Sequence, residues 1–340
     1  MTNYMGLSLQ SPIIAGSSGL MNDLQYLKQL EDAGIGAVVL KSIFEEQILI
    51  ESGDSNNSGD GYTKQKSNFS KDSLLSQDHL YPEALGYISD YTQEHTLNSY
   101  LEHVSRVKEM LSIPVIASIH CVSSYNWGYF ARRVQAAGAD ALELNAYILP
   151  SDFNCSGMEN EQVYFNLVEH IKQQVTIPIA LKVGYYFSSV ARTLQQLSET
   201  GIASLVLFNR PYSPDIDIDN LELTDNDLYS NPDEYAHVLR WIAILSERVK
   251  CDMAASTGIH SFDTVVKQLL AGATAVQVAS VLYKQGPQQI QIMIDGLKAW
   301  MNDHSFDNID QFRGRLSQCN IENPAAFERV QFMKLYSQIE

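Results

Sequence analysis

Short apolar runs recur along this chain in two alternating kinds. One kind is headed by Pro: Ser11-Pro-Ile-Ile-Ala-Gly16, Ile113-Pro-Val-Ile-Ala-Ser118 and Ile177-Pro-Ile-Ala-Leu-Lys182, with a degraded copy at Lys250-Cys-Asp-Met-Ala-Ala255. The other is headed by Gly: Gly34-Ile-Gly-Ala-Val-Val-Leu40, Gly138-Ala-Asp-Ala-Leu-Glu-Leu-Asn145, Gly201-Ile-Ala-Ser-Leu-Val-Leu207 and Gly272-Ala-Thr-Ala-Val-Gln-Val278. Pro is tolerated at the first position of a strand, where its missing N–H costs least. Gly readily takes the left-handed conformation just past a helix end. The runs between these signals are partly β-branched and read as buried parallel strands. Leu24, Leu27 and Leu30, and Val265, Val266, Leu269 and Leu270, have helical spacing between strands. Eight strands alternating with helices predict an α/β chain closed into a (β/α)8 TIM barrel. The rival, an open doubly wound sheet, has no reason for a fourfold internal echo.

Taken in order, the pattern predicts a first strand ending at Ala15-Gly-Ser-Ser-Gly19, a helix over 22–32, and a second strand ending at Lys41-Ser42. Residues 51–78 are polar and form a long loop after strand two, either a lid over the barrel mouth or a disordered insertion. Helical structure opens at Tyr81-Pro and runs to 111. Strand three ends at His120, a helix covers 128–137, and strand four ends at Asn145. Strand five ends at Lys182 and strand six at Asn209-Arg210. The acidic alternation Asp215-Ile-Asp-Ile-Asp219 predicts an inserted hairpin after strand six; it lacks the spacing and the Gly of a calcium loop, so no metal is expected. The chain reads as one domain over 1–340, with 306–340 as a helical extension outside the barrel.

Composition narrows the function. The net charge of -17 disfavours a nucleic-acid partner. Cys121, Cys155, Cys251 and Cys319 form no CxxC pair, so neither an iron–sulfur cluster nor structural zinc is signalled. Scattered cysteines, no signal segment and no apolar run of membrane-spanning length lead to an expectation of a cytoplasmic protein.

The chemistry gathers at strand ends, the active-site face of a barrel. A Lys closing an apolar strand is expensive unless it meets an anion or polar ligand, and here Lys41 and Lys182 both do so. Small residues follow strand seven (Ser256-Thr-Gly258) and strand eight (Ala279-Ser280), where barrels commonly hold a phosphate. Asn145 and Asn209 can read the carbonyl and N–H groups of a flat substrate. A phosphate cradle with lysine and amide groups suits a phosphorylated cofactor with a polar ring, such as a flavin. Glu143 is the one carboxylate candidate within the repeated strands; alternation sets it opposite Leu142 and Leu144, toward either the lumen or the helices.

These stretches, together with Phe208-Asn209 and Thr257-Gly-Ile259, resemble the dihydroorotate dehydrogenase family, flavin mononucleotide (FMN) barrels that oxidise dihydroorotate to orotate. The resemblance spans most of the barrel and is to the soluble class. It implies FMN held by Gly16, Ser17, Ser42, Asn145 and Lys182, with the phosphate on Ser256, Thr257, Gly258, Ala279 and Ser280. It places Lys41 and Asn209 against flavin or substrate, makes Asn145 a substrate contact as well, and suggests a homodimer. The departures lie in the substrate half. The family's strand-four motif, Asn-x-Ser-Cys/Ser-Pro-Asn, puts its base on Ile148 here, which cannot take a proton, and its last Asn on Pro150. The family's substrate-loop motif falls near 76–82 and is almost wholly replaced. Arg210 stands where a Ser or Thr is usual, and Thr257-Gly258 replaces a Gly pair. If the chain removes a proton, another group does so: Cys155 first, in the same loop, then Tyr147 and His120. The expected function is an FMN-dependent oxidoreductase of the dihydroorotate dehydrogenase type, with dihydroorotate to orotate in pyrimidine biosynthesis as the default reaction, or a related CH–CH oxidation. The alternatives are a non-catalytic flavin or phosphate-ligand binder, or a tRNA-dihydrouridine synthase, which the acidic surface opposes.

Overall fold

A computed structural model describes residues 2–44, 97–121, 128–211, 213–225 and 227–328. The expected loop over 51–78, the start of the helix expected from Tyr81, and the substrate-loop position at 76–82 lie outside these residues.

An antiparallel hairpin, β1 (Thr2–Tyr4) and β2 (Leu7–Leu9), precedes the barrel. The strands that follow are β3 (Ile13–Ala15), β4 (Ala37–Val39), the two-residue β5 (Ile43–Phe44), β6 (Val115–Cys121), β7 (Ala141–Ala146), β8 (Ile179–Val183) and β9 (Ser204–Leu207). A second hairpin, β10 (Pro214–Asp217) and β11 (Glu222–Asp225), precedes β12 (Asp252–Ser256) and β13 (Ala275–Val278). Strands β3, β4, β6, β7, β8, β9, β12 and β13 pair in parallel around a closed ring, since β4 also pairs with β6; β5 is an outrider on β6. The predicted eight-stranded barrel and the inserted hairpin are therefore both present.

The helices are α1 (Leu24–Asp32), α2 (Leu97–Met110), α3 (Gly128–Ala136), α4 (Gly157–Lys172), α5 (Val190–Ser198), α6 (Tyr235–Leu245), α7 (Phe262–Ala271), α8 (Ser280–Gln285) and α9 (Gln288–Asp303). Asp23 caps α1 by accepting from the N–H groups of Gln25 and Tyr26. Ser156 and Glu159 close a capping box at the start of α4. The four strand-heading glycines, Gly34, Gly138, Gly201 and Gly272, all have positive φ, as the pattern predicts.

Strand alternation divides the apolar residues into two cores. Leu142, Leu144, Val38 and Leu181 pack outward beneath the helices. Ile14, Ala37, Val39, Ile116, Ala141, Ala180, Val206, Ala254 and Ala275 fill the lumen together with Tyr4, Met5 and Leu9 of the N-terminal hairpin. The hairpin thus plugs the lumen, and the Met5 N–H donates to Asp252 Oδ2 at 2.7 Å. A chain passing straight from its N-terminus into the first barrel strand would leave the lumen core without this cover; Met5 and Gly6, both at positive φ, make the turn.

The tail differs from expectation. In its described part, 306–328, it holds two short 3-10 turns, Ile309–Gln311 and Pro324–Phe327, in place of a continuous helix. Its N–H groups are committed elsewhere: Gly314 donates to Leu269 O, Leu316 to Leu270 O and Gln318 to Ala243 O. The tail thereby satisfies carbonyls near the C-terminal ends of α6 and α7, which a helix has no internal donors for.

Candidate active site

With Ala141 pointing inward and Leu142 and Leu144 outward, alternation sends Glu143 and Asn145 into the lumen. On β8, Ala180 inward puts Lys182 there too, and on β13 Ala275 inward does the same for Gln277. Glu143 is 0% exposed, Gln277 2% and Lys182 7%. Gln277 Nε2 donates to Glu143 Oε2 at 2.5 Å, and Lys182 Nζ donates to Gln277 Oε1 at 3.2 Å. Lys182 Nζ also lies 3.9 Å from Glu143 Oε1. A buried ammonium is thus met by a carboxylate and an amide carbonyl, as a low-dielectric site requires.

Above this trio the rim is polar. Asn209 Nδ2 donates to Asn145 Oδ1 at 2.9 Å, joining the two amides predicted to contact substrate. Ser42 bridges Ser17 (Oγ–Oγ 3.0 Å) and Ser118 (Oγ–Oγ 2.8 Å), and its own N–H donates to Ser17 Oγ at 2.9 Å. The Ser118 N–H donates to the Tyr100 hydroxyl, which donates back to the Ser118 carbonyl. Gly16 N–H reaches Val278 O at 2.8 Å, so the backbones after β3 and β13 run side by side. Ser256 pairs in register with Gln277, one strand away.

At the expected phosphate position, Thr257 has φ +85° and Gly258 φ +74°. A non-glycine residue held there is strained, and such positions concentrate at functional sites. Thr257 Oγ1 donates to Phe208 O at 3.1 Å, which helps to hold the conformation. Ala279 opens the short helix α8, and Ser280 Oγ accepts from the Ser230 N–H at 2.9 Å. Ser230 Oγ contacts His260 Nε2 at 2.9 Å, and Lys284 Nζ donates to the Ser230 carbonyl at 3.1 Å. Burial, and then the nearby Lys284 charge, push the His260 pKa below the usual histidine value.

Gly16, Ser17, Lys41, Ser42, Asn145, Lys182, Asn209, Ser256, Thr257, Gly258, Ala279 and Ser280 all lie at or just beyond C-terminal strand ends of one parallel barrel, hence on one rim. Cys155 sits in the turn before α4, where its Sγ donates to Asn160 Oδ1 at 3.4 Å and to Ser156 O at 3.8 Å, both local partners. His120 ends β6 beside Phe44, ring centroids 5.1 Å apart. Ile148, at the family's base position, packs against the outer core.

Several rim residues escaped the sequence reading. Gln277 carried a usable signal, a polar residue inside an apolar strand, as Lys182 did. Ser118, Tyr100 and Ser230 carried none, because ordinary serines and tyrosines mark nothing until the fold brings them together. Tyr147 follows Asn145 by two residues; its ring covers Gly184, where an added Cβ would lie 3.4 Å away, and meets the Tyr186 ring edge-on at 6.0 Å. Burial, and then Tyr186, raise the Tyr147 pKa, so its phenol stays protonated. Arg210, the family departure after strand six, is held by Glu234 (Nε–Oε2 3.1 Å) and donates through Nη1 to the carbonyls of Asp227 and Leu228.

No known family model matches the chain. It is similar, at 25% identity over 317 residues, to a putative dihydroorotate dehydrogenase A (fumarate) of Aeropyrum pernix, covering 91% of this chain and 94% of that protein. It is 24% identical over 325 residues to the catalytic subunit of a dihydroorotate dehydrogenase B (NAD(+)) of Thermoplasma volcanium, covering 92% and 97%. It is 23% identical over 342 residues to the NAD-dependent dihydropyrimidine dehydrogenase subunit PreA of Escherichia coli, covering 92% and 75%. Among the described residues no helix is long and apolar enough to cross a membrane.

Proposed function

We propose that the chain is a divergent member of the dihydroorotate dehydrogenase family, to which its relatives at 22–25% identity point, and that it is an FMN-dependent oxidoreductase acting on the CH–CH bond of a dihydropyrimidine-like ring. The observation that carries this reading is the single rim on which a buried lysine, an amide pair, a serine chain and a bare phosphate-type loop converge. The donor set fits FMN. Lys182 supplies positive charge for the polar edge of a ring, Asn145, Ser17 and Ser42 supply neutral donors and acceptors, and the backbone at 256–258 and 279–280 supplies N–H groups for a phosphate. Bound FMN would supply two-electron acceptor chemistry.

The protein's own part is to orient substrate and move one proton. Asn145 and Asn209 hold the ring's carbonyl and N–H groups, with Lys41 at the same rim. Tyr147 donates the proton in the direction that saturates the ring, because the family's base position is Ile148, packed into the outer core, while Cys155 is bonded within its own turn; in the oxidising direction the proton leaves to solvent. Names among the relatives include both a dihydroorotate and a dihydropyrimidine dehydrogenase. Dihydroorotate is the default substrate, and an uncharged dihydropyrimidine the natural variant, since Pro150 replaces the last Asn of the strand-four motif.

The test is direct. Purified protein is expected to carry FMN, bleach with dithionite, and bleach faster with dihydroorotate or 5,6-dihydrouracil than without under anaerobic conditions. A colourless protein that takes up no FMN removes the proposal. Flavin that is bound but unmoved by either substrate favours the second reading, a flavin binder without dehydrogenase activity, which the replacement of the base by Ile148 motivates.

A further inference from the structure

Of the three lumen side chains Glu143, Lys182 and Gln277, the flavin reading uses Lys182 alone. Glu143 stands in register with Ala180, two residues before Lys182 on β8, so it lies deeper in the lumen than the lysine. Its side chain is fully buried, and its Oε1 accepts no hydrogen bond among the described residues. That oxygen is 3.9 Å from Lys182 Nζ, too far for a hydrogen bond but close enough for the two charges to act on each other strongly. Gln277 fills the space between them, donating to Glu143 Oε2 and accepting from Lys182. A flipped amide would set N–H against the ammonium and C=O against the carboxylate, so only one orientation works. The amide therefore fixes the spacing of the two ions.

Stability does not account for this arrangement, since an apolar pair of similar volume commonly serves a core as well as a buried ion pair does. The arrangement does supply an ammonium whose charge is largely cancelled from below. An uncompensated ammonium at the polar edge of a flavin favours the reduced form, which is the more negative one. A carboxylate behind the ammonium removes much of that preference, because both charges act through a low-dielectric lumen.

Resting on the flavin reading above, we propose that Glu143, spaced by Gln277, is a positioning residue that acts through Lys182. It lets the lysine grip the flavin edge without holding the flavin in its reduced form. Bound FMN then keeps nearly the balance between oxidised and reduced forms that it has in water. Lys41 is the same in every variant compared below, so its contribution cancels.

The experiment reconstitutes the full chain with FMN and measures the two-electron midpoint potential anaerobically against an indicator dye, beside free FMN. It reads the equilibrium preference for reduced over oxidised flavin, and turnover plays no part. In the wild-type chain that preference is expected to stay below about tenfold, or about 30 mV above free FMN. Glu143→Gln, which keeps the shape and removes the charge, is expected to raise the potential by about 30 mV or more, a further tenfold preference for the reduced form. Glu143→Asp disturbs packing more but keeps the charge, and is expected to stay within about threefold of the wild-type preference. A merely structural role reverses that order. A folded, FMN-loaded Glu143→Gln whose potential is unchanged or lowered overturns the proposal, and so does an Asp variant that shifts as far as the Gln variant. If Glu143→Gln does not fold, the wild-type potential decides, and a preference for reduced flavin above about tenfold overturns the proposal. A wild-type chain that takes up no FMN removes the flavin reading and this proposal together, whereas FMN bound with no shift in Glu143→Gln removes this proposal alone.

Discussion

Gln277 spans the barrel lumen, donating to Glu143 on β7 while accepting from Lys182 on β8. Its amide is oriented by charge, N–H toward the carboxylate and C=O toward the ammonium. Glu143 Oε1 accepts no hydrogen bond among the described residues and faces Lys182 across 3.9 Å.

Removing one member of this set leaves the other buried without compensation, at a cost of about 3 kcal/mol for Glu143→Leu. Replacing both ions by apolar side chains is much less damaging, so Glu143→Leu/Lys182→Met is expected to be more stable than Glu143→Leu alone. Urea unfolding of the two single variants and the double checks it; losses that simply add show that the two groups are not coupled.

The phosphate-type loop gives a contrasted pair. An added Cβ on Gly258 would lie 2.2 Å from the backbone N of Tyr235, and its φ is +74°. Gly258→Ala is expected to cost more than about 2 kcal/mol, by strain and by displacing the start of α6. Thr257 already occupies a glycine-type conformation at φ +85°. Thr257→Gly relieves about 1 kcal/mol or more of strain and loses one hydrogen bond worth about as much, so its melting temperature stays near that of the parent. Thermal unfolding of both variants separates the cases, and equal losses in the two contradict the backbone argument.

The barrel was legible because its signals are local. Pro or Gly heads seven of the eight barrel strands, and the four strand-heading glycines take the positive φ the pattern demanded. The strand-end lysines were legible for a different reason, since an ammonium closing an apolar run needs a partner; the register then puts Lys182 beside Asn145. What escaped depends on contacts far apart in sequence. Gln277 and Glu143 are separated by 134 residues, and only barrel closure makes them neighbours. The N-terminal plug escaped because Tyr4, Met5 and Leu9 have too short a pattern to declare a hairpin. The tail misled because its apolar residues read as helical, whereas its N–H groups serve carbonyls of α6 and α7.

His260 gives the rim a stability that depends on pH. Burial first, then Lys284, hold its folded pKa below its unfolded value, with Ser230 and Glu234 pulling weakly the other way. The folded protein therefore keeps the ring neutral while the unfolded chain protonates it. This stability is fully present above the unfolded pKa of about 6.5 and is lost as pH falls from there toward the folded pKa. His103 and His237, also held low chiefly by burial, add to the slope. Unfolding midpoints are expected to fall between pH 7 and pH 5, and to fall less in His260→Asn; identical slopes in the two proteins remove His260 from the account.

Of the three expected candidates for proton handling, Cys155, Tyr147 and His120, hydrogen bonding and ring contacts favour Tyr147 over Cys155. Tyr147 continues the face of β7 that carries Glu143 and Asn145, lies over Gly184, and meets Tyr186. Its raised pKa keeps it a proton donor at neutral pH, suited to stabilising or protonating a ring carbon or oxygen as the reaction runs toward the saturated ring. Cys155 gives its Sγ to Asn160. Tyr147→Phe is expected to keep bound FMN and slow substrate-dependent flavin reduction, or the reverse reaction, by about 100-fold or more. Cys155→Ala is expected to leave the rate within about threefold, since general acid–base groups contribute far more than that. Rapid-mixing absorbance of both variants decides: a large loss in Cys155→Ala with an unimpaired Tyr147→Phe returns the role to the thiol.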